Sequence, residues 1–263
     1  MAVRGCLAAW LAAVLLSVAA QAQTAGDPSA RDASTAADPV TILLAMEKVY
    51  ASCTSYHDTG LVTSVILTDG GRAGSERPFA TAFVRPNRFR FQFTDTGLGG
   101  DKARYIVWSD GEAVLSWWDR QPGLRHPGSI ADALTPAAEI SGGASVRVPG
   151  LLLPAALESG PLVMAPERLA NEVDRGVECV RITGKGRKTP YLLPSGPNRN
   201  VQVLDETVTL WIDNATHLLR KVEQRRTLET YRSETTTLYT PEINITVPAA
   251  DLAFGAPVKA TEK

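Results

Sequence analysis

The spacing of apolar residues changes character twice along this chain, and each change marks a different kind of element. Ile42, Ala45, Met46, Val49, Tyr50 and Cys53 recur at the intervals of one face of an α-helix. Asp38 stands at the N-cap and Pro39 at the first helical position, where early backbone N–H groups have no intrahelical partner. The period then falls to two. Leu61–Thr68 and Arg77–Val84 are strand-like runs around a turn at Asp69-Gly70-Gly71, which reads as a hairpin. Residues 88–93 (RFRFQF) alternate strictly, so Phe89, Phe91 and Phe93 share one face. Tyr105–Trp108 and Ala113–Trp118 flank Asp110-Gly111, a second hairpin.

The middle of the chain loses this regularity. Ser129 and Asp132 form a capping-box pattern ahead of Ile130, Leu134 and Ala138, which predicts a short amphipathic helix. Residues 141–166 are rich in Gly, Pro and Leu without a clean period, and carry Leu151, Leu152, Leu153, Leu157, Leu162, Val163 and Met164. A connection this apolar must cover something: it is either a plug packed on the core or a movable flap over a cavity. Strand patterns return at Gly176–Thr183, Val201–Asp213, His217–Leu228 and Tyr231–Tyr239, with Val208, Leu210 and Ile212 on one face. No helix-length crossover separates them, so the sheet is expected to be antiparallel and meander-like, in an α+β domain.

The first residues belong to neither pattern. Arg4 is the single charge before Asp27, residues 6–20 are apolar, and Ala20-Gln21-Ala22 is a small-x-small sequence. This is the form of a cleavable signal peptide over residues 1–22, cut after Ala22, and the apolar run is too short to span a bilayer. Residues 23–38 are small and polar and read as a disordered linker, leaving 39–263 as a single β-rich domain. The expected product is exported and is not an integral membrane protein.

Charge and candidate chemistry narrow the function classes. Beyond residue 22 the basic residues fall by one, Arg4, from the 27 of the whole chain against 28 acidic ones. A weakly acidic chain without a basic stripe gives no footprint for nucleic acid. Cys53 and Cys179 remain after the signal sequence; in an oxidising compartment they either form a disulfide or serve as small buried hydrophobes. His57, His126 and His217 are scattered and match no metal-binding spacing, so no metal and no cofactor is expected. Ser75 lacks the second glycine of a nucleophile elbow, and Gly184–Lys188 lacks the elements of a phosphate loop and reads as a basic turn. Asp205 and Glu206 are adjacent in a strand, so they point to opposite faces and share no substrate. Arg85, Arg88, Arg90 and Arg104 are either a basic rim or the solvated face of a sheet. Nothing in these patterns anchors catalysis.

Several longer patterns fit one family. Residues 50–60 (YASCTSYHDTG) running into a strand, 85–91 (RPNRFRF), 108–111 (WSDG), and Trp211-Ile212-Asp213 followed by Leu219-Arg220-Lys221 resemble the periplasmic LolA/LolB-like superfamily. That superfamily includes the outer-membrane lipoprotein carriers and the RseB-type regulators. The resemblance covers most of residues 39–247. It implies a strongly curved antiparallel sheet, an open half-barrel, wrapped around a few helices, and a periplasmic location. It further implies a non-enzymatic protein that binds a hydrophobic ligand, a lipid or a lipoprotein acyl chain. The alternative it implies is an envelope regulatory or assembly protein that recognises a protein partner. With the residue patterns, it marks Phe89, Phe91, Phe93 and Trp108 as a candidate cavity wall and Leu151, Leu152 and Leu153 as a candidate flap. The interior is either an accessible cavity or a filled core.

Overall fold

A computed structural model describes residues 37–96, 101–157, 160–194 and 200–255. The expected signal peptide, its cleavage point, residues 23–36 of the linker and residues 158–159 of the apolar connection lie outside the described residues. Helix α1 (Pro39–Ser52) begins as its sequence requires, with the Asp38 carboxylate accepting from the Thr41 N–H at 3.1 Å. Its buried face carries Ile42, Met46 and Tyr50. At the other end the last carbonyls lack intrahelical donors. Arg85 supplies them: Nε donates to the Cys53 carbonyl at 2.7 Å and Nη2 to that of Tyr50 at 2.9 Å. A cation at a helix C-terminus also complements the helix dipole.

The strands are β1 (Ser55–Thr68), β2 (Gly71–Val84), β3 (Arg88–Asp95), β4 (Ala103–Ser109), β5 (Val114–Trp118), β6 (Gln121–Arg125), β7 (Met164–Asp174), β8 (Val177–Lys185), β9 (Tyr191–Pro194), β10 (Asn200–Asp213), β11 (Leu219–Leu228), β12 (Arg232–Tyr239) and β13 (Glu242–Ile243). They form one antiparallel sheet in the order β6-β5-β4-β3-β2-β1-β12-β11-β10-β8-β7, with β13 on β1 and β9 on β10. The sheet is two meanders joined where β1 meets β12, and it is not closed, since β6 and β7 are its two ends. This is the open antiparallel half-barrel with few helices that the LolA/LolB resemblance implied.

The apolar connection is a plug. Its helices α3 (Arg147–Leu152) and α4 (Pro154–Leu157) form the plug together with the preceding α2 (Ile130–Leu134) and a 3-10 turn (Thr135–Ala137). Ile130, Ala133, Leu134, Ala137, Ala144, Val148, Leu151, Leu152 and Val163 join one core with α1 and the inner face of the sheet. Ser129 caps α2 by accepting from the Asp132 N–H at 3.1 Å, as the capping-box pattern predicted.

Strand parity decides which residues see that core. Phe89, Phe91 and Phe93 are buried on the inner face with Phe79, Phe83 and Val107. Trp108 is the exception to the expected wall. It follows Val107 by one residue and pairs with Arg90, so it projects from the opposite face. There its Nε1 donates to the Leu252 carbonyl at 2.7 Å and its ring lies against Phe254, under the short 3-10 turn Ala249–Leu252. The cysteines separate in the same way. Cys53 belongs to the interior cluster, whereas Cys179 alternates with the core residues Val180 and Ile182 and therefore lies on the outer face of β8. Both are free and buried.

Four strands are absent from the sequence pattern; β13 is only two residues long, and the other three each have a local reason. The pairing of β7 with β8 shifts register between Met164 and Glu167 and again between Leu169 and Glu172, which scrambles any alternation. All five residues of β6 are exposed at the sheet edge. Strand β9 is short and pairs with β10 alone. His217, expected to open a strand, takes φ 58° in the turn before β11.

Gly60 sits where β1 pairs with Phe79 on one side and Tyr239 on the other. A Cβ there would lie 2.1 Å from the Phe79 ring and 2.4 Å from the Leu238 carbonyl oxygen. Gly60→Ala should therefore lower the unfolding free energy by about 1–3 kcal/mol or more, as overpacking does. Gly74→Ala, whose nearest neighbour is the Ser64 oxygen at 3.7 Å, is the matched control in a urea titration. Equal effects of the two substitutions would refute the steric account. For the thiols, reductant should leave Tm unchanged, and Cys53 and Cys179 should react with a thiol reagent only in denaturant.

Candidate functional site

The inner face of the sheet has an apolar centre and a polar end. At the centre, the rings of Phe79, Phe91, Phe93 and Tyr105 follow one another at centroid separations of 5.5–6.2 Å. Fully burying each such ring contributes about 1.5–3 kcal/mol. Toward the polar end, β10 and β11 keep the same inward parity but change chemistry. Glu206 follows Val208, Leu210 and Ile212 in register, and Gln224 and Arg226 follow Val222. Glu206 is 1 % exposed. Its Oε1 accepts from Gln224 Nε2 and, at 2.9 Å, from Arg226 Nε. Arg226 in turn donates from Nη1 to Glu139 of the plug at 2.8 Å. Burial works against the Arg226 charge, but the Glu139 and Glu206 carboxylates outweigh it and hold the guanidinium firmly protonated. Arg147 of α3 completes the bridge, donating to Gln224 Oε1 at 3.0 Å and to the Gly142 carbonyl at 2.6 Å.

Cavities occur around this filled centre, at the margins of the plug. One of about 350 Å³ is lined by Glu139, Arg147, Arg187, Glu206, Gln224 and Arg226, with Leu162 and Val208 beside them. A second, of about 530 Å³, lies between α1 and the plug and is lined by Leu44, Ala51, Leu151, Pro154, Pro161 and Leu162, with Glu47 and Lys48 at its edge. The two share Arg147, Gly160, Pro161 and Leu162, so an apolar cleft runs directly into a charged one. A third, of about 240 Å³, holds Phe93, Tyr105 and Trp118 under the α2 end of the plug.

The expected wall residues fall into three groups. Phe93 and Leu151 line cavities, in different places. Phe89, Phe91 and Leu152 are fully buried core, Leu153 packs against that core, and Trp108 is on the other side of the sheet. Of the four arginines, Arg85 caps α1, Arg88 is exposed, Arg90 bonds Gln92 on the outer face, and Arg104 pairs with Asp119 at 3.2 Å. His57 lies on the outer face near Asp251 at 3.3 Å and Glu242 at 3.7 Å. No group of three or more His, Cys, Asp or Glu side chains that could hold a metal occurs among the described residues. Likewise, none of their helices is long and apolar enough to cross a membrane.

Asp58 is the other polar group that sequence reasoning passed over. It shares the inner face of β1 with Tyr56 and Val62 and has no exposure. Oδ1 accepts from the Thr240 N–H at 2.8 Å, while among the described residues Oδ2 has no hydrogen-bond partner, nor do the hydroxyls of Tyr56, Thr81 and Tyr239. Burial pushes the Asp58 carboxyl up to about 7, against the Thr240 hydrogen bond that favours its ionised form. Burial, helped by the Asp58 charge, also raises the Tyr56 hydroxyl far above its usual range.

No family model matches this chain, and no curated protein matches it. Similar solved structures include the lipoprotein LppX of Mycobacterium tuberculosis, at 13 % identity over 80 % of this chain and 99 % of that one, with a TM-score of 0.39. LprF of Mycobacterium bovis is 11 % identical over 79 % and 93 %, with a TM-score of 0.39. A LolA superfamily protein of Nitrosomonas europaea is 12 % identical over 83 % and 98 %, with a TM-score of 0.33. At these TM-scores the likenesses carry no argument about ligand or activity.

The Asp58 carboxyl gives a pH prediction with a definite sign. Its folded value, about 7, is above the usual 3.8, so between those pH values the unfolded chain releases a proton that the folded chain keeps. Stability should therefore fall as pH rises through this window, by up to about 4 kcal/mol at 1.36 kcal/mol per unit. Asp58→Asn should flatten that dependence and raise Tm at pH 8 relative to the parent. A parent Tm that climbs from pH 4 to pH 7, with the variant following it, would contradict this.

Proposed function

We propose that this is an exported, non-enzymatic binding protein that holds a hydrophobic ligand in the cleft between α1 and the plug. The single observation that carries the reading is the second apolar face of α1. Ile42, Met46 and Tyr50 already bury one face. Val40, Leu44 and Ala51 lie on the other side, with Leu44 59 % exposed at the mouth of the 530 Å³ cleft. A surface helix normally keeps one apolar stripe and turns charge to water. An exposed apolar patch beside a well-formed apolar cleft marks a place where something apolar docks.

The ligand position differs from the one expected from the sequence. Phe89 and Phe91 are packed solid and Phe93 borders only the smaller cavity under α2, so the ligand lies across the outer margin of the plug instead of between the plug and the sheet. Leu151 and Leu162 supply its floor. The signal-like residues 1–22 support a location where apolar cargo must cross water, the periplasm in the LolA/LolB resemblance. A lipid or lipoprotein acyl chain has the apolar length such a cleft accepts.

Native mass spectrometry of protein recovered from the exported fraction should find a co-purifying lipid. A fluorescent fatty-acid probe should bind the delipidated protein, and Ala51→Trp, which fills the cleft from an exposed helix position, should weaken it at least about tenfold. An apo mass together with no probe binding would overturn the reading. Recovery of a specific envelope protein by the apo protein would replace it with partner recognition.

A further inference from the structure

The charged cavity beyond Leu162 contains an acceptor that the fold leaves unused. Glu206 Oε1 is saturated by Gln224 and Arg226, but Oε2 has no hydrogen-bond partner among the described residues although Glu206 is 1 % exposed. Arg187 Nε stands 3.8 Å from it, an ion-pair separation too long for a hydrogen bond. A carboxylate oxygen withdrawn from water and left unpaired is costly, and a polar cavity is where a ligand donor could repay that cost. Gly186 lets the chain pass close against this carboxylate, since a Cβ there would lie 2.8 Å from it.

The surroundings define the chemistry of that donor. The guanidiniums of Arg147 and Arg226 are turned into the protein's own network, onto Gln224 and Gly142 in one case and onto Glu139 and Glu206 in the other. Arg187 is half exposed at the rim and reaches Glu139 and Glu206 only at 3.7 and 3.8 Å. The cavity thus offers an unused anion at its base and a loosely held cation at its mouth. Three guanidiniums close by disfavour a bare metal ion, and one open oxygen is too few ligands for it. A group carrying both a hydrogen-bonding cation and an anion fits both ends. The cavity, at about 350 Å³, also opens into the apolar cleft through Arg147, Gly160, Pro161 and Leu162.

We propose that Glu206 Oε2 receives the primary ammonium of an amphiphile whose phosphate meets Arg187 and whose acyl chains lie in the α1 cleft: an aminophospholipid headgroup site. This deepens the reading of the cleft and rests on it. Charge-assisted hydrogen bonds of this kind discriminate by about tenfold or more.

The test is calorimetric titration of delipidated protein with dihexanoyl phosphatidylethanolamine, dihexanoyl phosphatidylglycerol and free phosphoethanolamine, each below micelle formation. The ethanolamine lipid should bind at least about tenfold tighter than the glycerol lipid, and phosphoethanolamine should bind far more weakly than either. Glu206→Gln should bring the two lipids level. Gly186→Ala, which places a methyl against the same carboxylate, should do so too and serves if the first variant fails to fold. Equal binding of the two lipids by the parent would overturn the headgroup site and leave the apolar cleft standing. Preserved discrimination in a folded variant would overturn the role of Glu206. Phosphoethanolamine binding as tightly as its lipid would overturn the amphiphile. Binding of neither lipid would overturn the cleft reading itself, and the headgroup site with it.

Discussion

The fold depends on the pairing of β1 with β12, which joins an N-terminal and a C-terminal meander along Gly60–Leu67 and Arg232–Tyr239. Each meander alone could be built from hairpins, which close short loops. The β1–β12 seam closes a loop of most of the domain, a cost that grows only logarithmically with length but must be met before any contact across it forms. What offsets it is that the seam puts two inner faces around one core: Phe79, Phe83 and Phe91 from one half and Leu210, Leu219 and Val222 from the other. A close backbone approach, at Gly60, and the buried Asp58 both lie on β1 at this seam. Thr240, just past the end of β12, holds Asp58 there through a backbone hydrogen bond. The carboxyl is thus fixed by the same junction that assembles the sheet.

A curved sheet this wide has more inner surface than one helix and a short plug can cover with apolar side chains. At the centre the coverage is complete. Toward the end of β10 and β11 the sheet substitutes a charged network, Glu206–Arg226–Glu139 with Gln224 and Arg147, which ties plug to sheet through hydrogen bonds. Buried ion pairs seldom add much net stability, because desolvation cancels most of the attraction. Their value here is positional. Glu139 and Arg147 have their partners only when the plug sits in one register, so the network specifies a placement that interchangeable leucines would leave loose.

How legible this was in the sequence follows from parity. Wherever strands alternate cleanly, as in β3 and β10, the inner face was readable from spacing: Phe89, Phe91 and Phe93, then Val208, Leu210 and Ile212, are all core. The same parity carried Glu206 and Asp58 inward, and adjacent Asp205 outward to Lys185 at 2.5 Å. Yet a charged residue on an apolar register invites dismissal as an interruption. Trp108 failed for the opposite reason. Its aromatic character suggested the core, while its position beside Val107 placed it on the outer face. The residues that gather around Glu206, namely Glu139, Arg147 and Arg187, come from segments with no period at all. No spacing rule could have brought them to one cavity.

A filled centre also changes what carrying a ligand requires. If the aromatic stripe lined an empty interior, loading would demand that the plug withdraw and expose Leu134, Leu152 and Val148, all fully or nearly fully buried. That would cost several kcal/mol of apolar burial for each cycle. A cleft on the margin, between the second apolar face of α1 and Leu151 and Leu162, asks for far less: its wall residues already reach the surface, and Leu44 is already in water. The exposed face of α1 is therefore the part of the domain whose solvation a ligand would improve. The packed core beneath it is what keeps that face in place.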